Sequence, residues 1–424
     1  MRVLLISANT EHMNIVPLPL GLNCVVVATR NAGHDVRLLD LMAENDSKLA
    51  IKEAIESFRP EVIGVSVRNI DNQVMNPAIF LLDQVKKVIN DCRELSSVTI
   101  ILGGAGYSIF PESALEYLEA DMGIQGEGEV AFPNLLYRMQ RGIDLLGMPG
   151  LYLRGLGLQG ERQYAKLLDE LPFPDETMWP PPAPNDDNFG IPIQTRRGCS
   201  MNCNYCSTAD IEGRQIRKRS TEFVIENITR HKDAGYKNFY FVDNTFNIPL
   251  PYTKDLCRKI INSKLGISWR CIFYPGKVDT ELVNLLAMAG CKEVSLGFES
   301  GCENILRVMN KKFSLDAIRH TAEMLRAGGI KQLGFLMLGG PGETKESAEQ
   351  SLVFADSLDL DAMKITIGIR IYPNTALSKI AVTEGLISPE DNLLYPRYYI
   401  VKKLEGWLRE TVQAWMESRP NWMT

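Results

Sequence analysis

The stretch TRRGCSMNCNYCS, Thr195 to Ser207, places three cysteines in a CxxxCxxC spacing with an aromatic residue directly before the last. The other cysteines stand alone, at 24, 92, 257, 271, 291 and 302, where a small buried hydrophobe is the ordinary reading. Thiolates in a reducing compartment bind soft metals, and iron–sulfur clusters are normally held by four of them. Three close cysteines cap three irons. If no distant cysteine completes the set, one iron keeps an open position for a ligand, by the logic that separates open catalytic metal sites from closed structural ones. Structural zinc remains the alternative. It usually shows a second CxxC pair or histidines, whereas His12, His34, His231 and His320 are not near the trio in sequence.

The trio follows an apolar run near 191–196. Further strand-like runs recur near 237–243, 267–272, 293–298, 331–337 and 363–371, separated by helix-like stretches such as 220–234, 252–264, 278–289, 314–327 and 345–358. Six βα units predict a partial barrel rather than the eight of a closed one, with the trio at the face where barrel chemistry sits. Upstream, LPFPDETMWPPPAPND (Leu171 to Asp186) reads as an extended connector, because proline removes donors and restricts its neighbours.

Before the connector, runs at 2–7, 36–39, 61–66, 98–102 and 121–124 alternate with helix-like segments, for example 20–32, 47–58, 77–92 and 111–119. That alternation predicts an α/β domain with a mainly parallel sheet and helices on both faces. Ligands bind such sheets outside the carboxyl ends of the strands. Those ends carry SANTEHMNIVPLPLG from Ser7, SVRNIDN from Ser66 and GGAGYS from Gly103. Gly103, Gly104 and Gly106 there permit close backbone approach or positive φ, or are ordinary turn glycines. The expected domains are 1–140, a linker over 141–188, a barrel over 189–377 and a helical extension over 378–424.

At 424 residues the chain exceeds the size at which a single core stops growing, so two or more domains are expected. Net charge is −6 with no basic block, so a nucleic acid is not an expected partner. No run reaches the length of a membrane helix, and the opening MRVLLISANTEHMN reads as a first strand rather than a signal peptide, which makes the cytoplasm the expected location.

CxxxCxxC with its aromatic, on the first loop of a half-barrel, resembles the radical S-adenosylmethionine (radical SAM) superfamily. The resemblance continues through YFVDNTF (Tyr240 to Phe246), SLGFESGCENIL (Ser295 to Leu306), GFLMLGGPGET (Gly334 to Thr344) and IRIYPNTAL (Ile369 to Leu377). It implies a [4Fe–4S] cluster on Cys199, Cys203 and Cys206, whose fourth iron chelates SAM, and a reduced cluster that splits SAM to a 5′-deoxyadenosyl radical. On the SAM side it implies Tyr205 near the adenine, Glu299 and Ser300 at the ribose and methionine end, Gly339 and Gly340 against the cofactor, and Asp243 and Asn244 toward the methionine moiety or substrate. Packing for Tyr205 and a helix N-cap for Ser300 are the plainer alternatives. Arg370 is placed on the same side, where it binds a carboxylate or pairs with one of the barrel's own.

The first domain resembles the cobalamin-binding domain of radical SAM enzymes that also carry B12. The matching pieces are PLPLGLNCVVVATRNAGHDVRLLD (Pro17 to Asp40), IGVSV (Ile63 to Val67), GGAGYSIFPE (Gly103 to Glu112) and GEGEVAFPNLL (Gly126 to Leu136). The implied cobalamin side comprises Arg68, Asn69, Gly103, Gly104, Gly106, Gly126 and Glu127. The Asp-x-His-x-x-Gly segment that supplies an axial imidazole is missing, and His34 reads as a packing residue. The expectation is therefore a Rossmann-like cobalamin-type domain followed by a partial (β/α)6 radical SAM barrel and a short helical tail. The expected activity is C-methylation, or a radical rearrangement or cyclisation, of a small natural-product or cofactor precursor. Flavodoxin or ferredoxin is the implied electron donor. Two alternatives stay open: a radical SAM enzyme whose first domain holds no corrinoid, and a non-enzymatic iron–sulfur or zinc module.

Overall fold

The computed structural model describes residues 1–11, 18–182 and 190–424. His12 and the end of the proline-rich connector, Ala183 to Asp186, lie outside the described residues. The chain divides into two compact units: Met1–Asn72 with Ala78–Pro181 and Ser207–Gly213, and Gln73–Pro77 with Pro182–Cys206 and Arg214–Thr424.

The first unit is built on a seven-stranded sheet. In chain order its strands are β1 Arg2–Ser7, β2 Asp35–Asp40, β3 Val62–Ser66, β4 Thr99–Gly103, β5 Met122–Ile124, β6 Leu151–Leu153 and β7 Gly157–Leu158. The spatial order is β2-β1-β3-β4-β5-β6-β7. The first five run parallel, and β6 and β7 are added antiparallel from residues that sequence reading placed in the linker. A parallel sheet covered on both faces needs near-continuous apolar strands, and β1 is buried at five of its six positions. Its helices are α1 Leu20–Asn31, α2 Ser47–Phe58, α3 Leu82–Leu95, α4 Ala105–Ile109, α5 Pro111–Leu118 and α6 Gly128–Arg141. One core joins Val3, Leu5, Val62 and Ile101 of the sheet to Val26 of α1 and Phe132, Leu135 and Leu136 of α6. The order 2-1-3-4-5 reverses direction between β1 and β3, which is the crevice where doubly wound sheets bind ligands.

The second unit holds the barrel sheet: β8 Ile191–Ile193, β11 Asn238–Phe241, β12 Ser268–Phe273, β13 Cys291–Glu299, β14 Lys331–Leu338 and β15 Ala362–Ile367. All six are parallel, in sequential order. A two-residue pair, β9 Arg196–Arg197 with β10 Arg217–Lys218, lies beyond β8. The tail is more than helical: β16 Ile369–Arg370 pairs with β17 Tyr398–Tyr399, and β18 Trp422–Met423 joins the barrel sheet beside β15 as a seventh strand.

Burial alternates along β12 and β14, because one side of each strand meets helices and the other the concave interior. The outer side includes an aromatic cluster of Phe241, Phe246, Trp269 and Phe273, with neighbouring ring centroids 4.9–6.4 Å apart. The helices α8 Thr221–Asp233, α10 Thr280–Met288, α12 Leu315–Ala327, α13 Lys345–Ser357 and α14 Ala376–Thr383 start on Ser220, Asp279, Ser314, Thr344 and Thr375. Each of these side chains accepts from a backbone N–H of its helix's first turn. The remaining helices of this unit are α9 Leu250–Asn262, α11 Glu303–Val308 and α15 Glu405–Glu417, while α7 Thr208–Glu212 falls in the first unit.

Candidate functional site

The cysteine loop leaves β8 and β9 with positive φ at Gly198 (91°) and Asn202 (54°). The loop is anchored by asparagines. Buried Asn204 donates its backbone N–H to the Met309 carbonyl at 3.1 Å and its side-chain amide to the Val308 carbonyl at 2.8 Å, while its own carbonyl accepts from Leu377 N–H at 2.9 Å. Asn310 donates to the Asn202 carbonyl at 2.6 Å. Cys199, Cys203 and Cys206 are half-buried, the other six cysteines are buried, and none of the nine is in a disulfide. Burial pushes the Cys203 thiol up, with Lys311 opposing it. Among the described residues no three His, Cys, Asp or Glu side chains converge on a point that would hold a single ion. A cubane sets each thiolate on a different iron, so its ligands stand wider apart than those of one ion. Three thiols on an anchored loop have the donor chemistry for it.

A second cluster forms at the end of β13. The β13–β14 register shifts between Gly297 and Glu299, and Glu299 takes φ 65°, which turns its carboxylate out of the normal alternation. Glu299 Oε1 accepts from the Tyr205 hydroxyl at 3.1 Å and from Lys311 Nζ at 3.3 Å. The ion pair is buried, with side-chain exposures of 5% for Lys311 and 11% for Glu299. The Lys311 ammonium also lies 5.5 Å from the centre of the Tyr205 ring. Burial alone lowers a lysine, but the charges of Glu299, Tyr205 and Cys203 outweigh it and hold Lys311 well above its ordinary value. Tyr205 and Glu299, which the sequence put on one side of a ligand, are thus brought together. Lys311 was missed, because two adjacent lysines after a short helix look like a solvated pair.

The other residues expected on the SAM side take the following positions. Asp243 is fully buried and turned into the barrel wall: its oxygens accept from Thr195 N–H (2.8 Å), Thr195 Oγ1 (2.6 Å) and Arg196 N–H (3.1 Å), and pair with Arg196 Nε at 3.3 Å. Asn244, next along, is half-buried. Ser300 is buried against α13, its hydroxyl 3.0 Å from that of Ser351 and accepting from Cys302 N–H at 3.1 Å. Arg370 donates to the carbonyls of Ile371 (2.6 Å) and Leu393 (2.8 Å), so it staples the tail to the end of the sheet. Gly339 and Gly340 are glycine because the protein itself fills the space: a Cβ would stand 2.9 Å from Ile400 Cγ1 at the first and 3.0 Å from Ile369 Cδ1 at the second.

The same turn uses Glu343, which sequence reading passed over. Its Oε2 accepts from Gly339 N–H, while its Oε1 is buried without a partner among the described residues. Burial pushes this carboxyl up to about 7. An unfolded glutamate ionises near 4.5, so between that value and 7 the folded chain keeps a proton the unfolded chain has lost, and raising pH favours unfolding. The penalty is absent below the unfolded value and complete above the folded one. Glu343→Gln keeps the acceptor and removes the charge, so it is expected to stabilise by up to about 2–3 kcal/mol at pH 8 and to change little at pH 4. Urea denaturation at both pH values checks this, and an equal effect at both would contradict it.

In the first unit, the crevice between β1 and β3 opens into a shallow cleft, lined by Asn9, Thr10, Glu11, Arg68, Asn69 and Gln84 among others. Arg68 is exposed and Asn69 half-buried. Asn9 Nδ2 is a buried donor without a partner among the described residues, as suits a ligand carbonyl. At Gly103 a Cβ would meet nothing within 4 Å, so its backbone stays approachable. At Gly104 (φ 104°) and Gly106 the chain itself crowds the Cβ position: an added Cβ would lie 2.5 Å from the Val67 carbonyl oxygen at the first and 2.9 Å from that of Arg68 at the second. Gly126 N–H donates to Ser108 Oγ at 3.0 Å, and Glu127 accepts from Ala165 N–H at 2.7 Å, so both hold the fold together at this edge. His34 is buried, its Nδ1 3.3 Å from the Met1 amino group, in a packing position.

Two family descriptions match the chain: the B12 binding domain over residues 4–136 and the radical SAM superfamily over residues 193–355. An uncharacterised methyltransferase of Pyrococcus horikoshii is 28% identical over 97% of this chain and 90% of its own. The tryptophan 2-C-methyltransferase of Streptomyces laurentii is 23% identical over 89% of this chain and 74% of its own. Among solved structures, the radical SAM methyltransferase TsrM of Kitasatospora setae, with cobalamin and a [4Fe–4S] cluster bound, superposes with a TM-score of 0.82. It is 22% identical, covering 90% of this chain and 78% of that one, and so shares the fold. With each domain matched in the predicted order, the chain belongs to the radical SAM superfamily, as an enzyme whose barrel is preceded by a B12-binding domain.

Proposed function

We propose that the protein is a B12-dependent radical SAM methyltransferase that transfers a methyl group to carbon on a small molecule. The observation that carries this reading is the asparagine-anchored trio of cysteines in the same barrel as the Tyr205–Glu299–Lys311 cluster, in one chain with a cleft at the switch point of a B12-type sheet. Cys199, Cys203 and Cys206 would hold the iron–sulfur cluster, which supplies the electron for reductive cleavage of SAM, while cobalamin supplies a methyl carrier. The chain's own residues bind and orient. Glu299 keeps one oxygen engaged by Tyr205 and Lys311, and its other oxygen takes no donor from the described residues, which suits sugar hydroxyls. Lys311 and Tyr205 hold that carboxylate in place with little water around it. Asn9 and the backbone at Gly103 offer the corrinoid side its polar contacts.

Thiols without disulfides fit a reducing cytoplasm with flavodoxin or ferredoxin as electron donor, and no helix among the described residues is long and apolar enough to cross a membrane. The test is anaerobic reconstitution with iron, sulfide and hydroxocobalamin, followed by reductant and SAM labelled in its methyl group. Corrinoid retained through gel filtration and label in a carbon-bound methyl of the product are expected. SAM cleavage to 5′-deoxyadenosine with no methylated product would refute the transfer. The crowding at Gly104 and Gly106 favours a second reading, a radical SAM enzyme whose first domain holds no corrinoid, which predicts that none is retained.

A further inference from the structure

Along β15, Met363 and Ile365 are buried toward the helices, so Lys364 and Thr366 stand on the concave face of the barrel sheet. Register fixes their height. Lys364 pairs with Phe335 and Phe335 with Gly297, while Thr366 pairs with Met337. Lys364 therefore sits just below the level of Glu299, near the apolar side chains of Leu333, Phe335 and Met337 on the same face, while Arg270 of β12 faces the interior further down, opposite Glu293. It is half-buried and has no hydrogen bond or ion pair among the described residues. The barrel's carboxylates do not answer it. Glu299 is already paired with Lys311 at 3.3 Å. Glu293 is four residues before Gly297 on β13, about 13 Å further down the barrel. An ammonium drawn part-way out of water among apolar neighbours loses hydration that nothing among the described residues replaces.

We propose that Lys364, assisted by the Thr366 hydroxyl, anchors an anionic group of the substrate, a carboxylate or a phosphate ester, so that the enzyme selects anionic small molecules. The proposal rests on the reading of this barrel as a radical SAM catalytic site. Because the substrate is unidentified, the reconstituted full-length enzyme is titrated anaerobically with phenylacetate, phenyl phosphate and neutral benzyl alcohol by calorimetry. At least one anion is expected to bind about tenfold more tightly than benzyl alcohol, and the order of the two anions tells carboxylate from phosphate.

Lys364→Met is expected to lose that tenfold preference with benzyl alcohol binding unchanged, Lys364→Arg to keep most of it, and all three proteins to melt at similar temperatures. Equal affinity for the three probes, or no saturable binding of either anion, overturns the proposal. So does an equal loss of SAM affinity in Lys364→Met, which would assign the lysine to the carboxylate of SAM itself. Substrate-independent SAM cleavage by the wild type is scored separately. Its absence defeats the radical SAM reading whatever the probes do, and its presence with indifferent probes defeats only the anion anchor.

Discussion

Alanine at any one of Cys199, Cys203 or Cys206 is expected to abolish reductive SAM cleavage while leaving the fold intact. The loss should exceed the roughly 10–100-fold that follows removal of a supporting hydrogen bond around a metal, because a ligand itself is gone. The fold should survive because the loop is tied down by Asn202, Asn204 and Asn310, and the three thiols are only half-buried. Stability is therefore expected to change by no more than about 1 kcal/mol. Iron and sulfide content, the visible spectrum and 5′-deoxyadenosine formation check the prediction together. Alanine at Cys92 or Cys257, both fully buried, should do the reverse, lowering stability without releasing iron. A variant of the trio that kept its full iron content and SAM cleavage would remove the basis of the cluster assignment.

Asp243→Ala is expected to cost about 3–5 kcal/mol of stability, the range for removing one member of a buried charge pair. Asp243 and Arg196 are 0% and 2% exposed, so the guanidinium would stay buried with its counter-ion gone. Thr195 N–H and Oγ1 would lose their acceptors in the same change. Asp243→Asn keeps the shape but sets an amide donor or a single acceptor against several donors, so it should fall between alanine and wild type. Chemical denaturation measures the loss. The opposite pattern, unchanged stability with weakened SAM binding, is what a ligand-facing Asp243 would give, and the two outcomes do not overlap.

The strands of both sheets were legible because parallel strands covered on each face are short, apolar and β-branched, and helix-like segments separated them at regular intervals. Thus 220–234 and 314–327 appear as helices Thr221–Asp233 and Leu315–Ala327. The helix expected over 77–92 instead starts at Leu82 and runs to Leu95. Strands of two or three residues, such as β6, β7 and β18, carry too little pattern to read; β18 exists only because β15 offers an edge.

The site was legible in its residue types but not in its directions. Asp243, Ser300 and Arg370 all lie at strand ends, as the motifs imply, yet each points into the wall or the tail. A polar residue at a strand end looks the same in sequence whether it faces a ligand or a neighbouring loop. Period-2 alternation settles that within a strand, but bulges and turns break it at the ends. Glu299 is the counterexample, where the break itself brings the carboxylate to Tyr205 and Lys311.

The left-handed backbone at Glu299 carries a consequence for engineering. A side chain in that region is disfavoured by roughly 1–2 kcal/mol relative to glycine, and substitutions chosen for thermal robustness would drift toward glycine there. Such a variant would relax the end of β13 and strand Lys311 as a buried cation without its anion. Position 299 is therefore a place where ease of folding and capacity for chemistry pull against each other, and a library screened for heat resistance alone would erode the enzyme at that point.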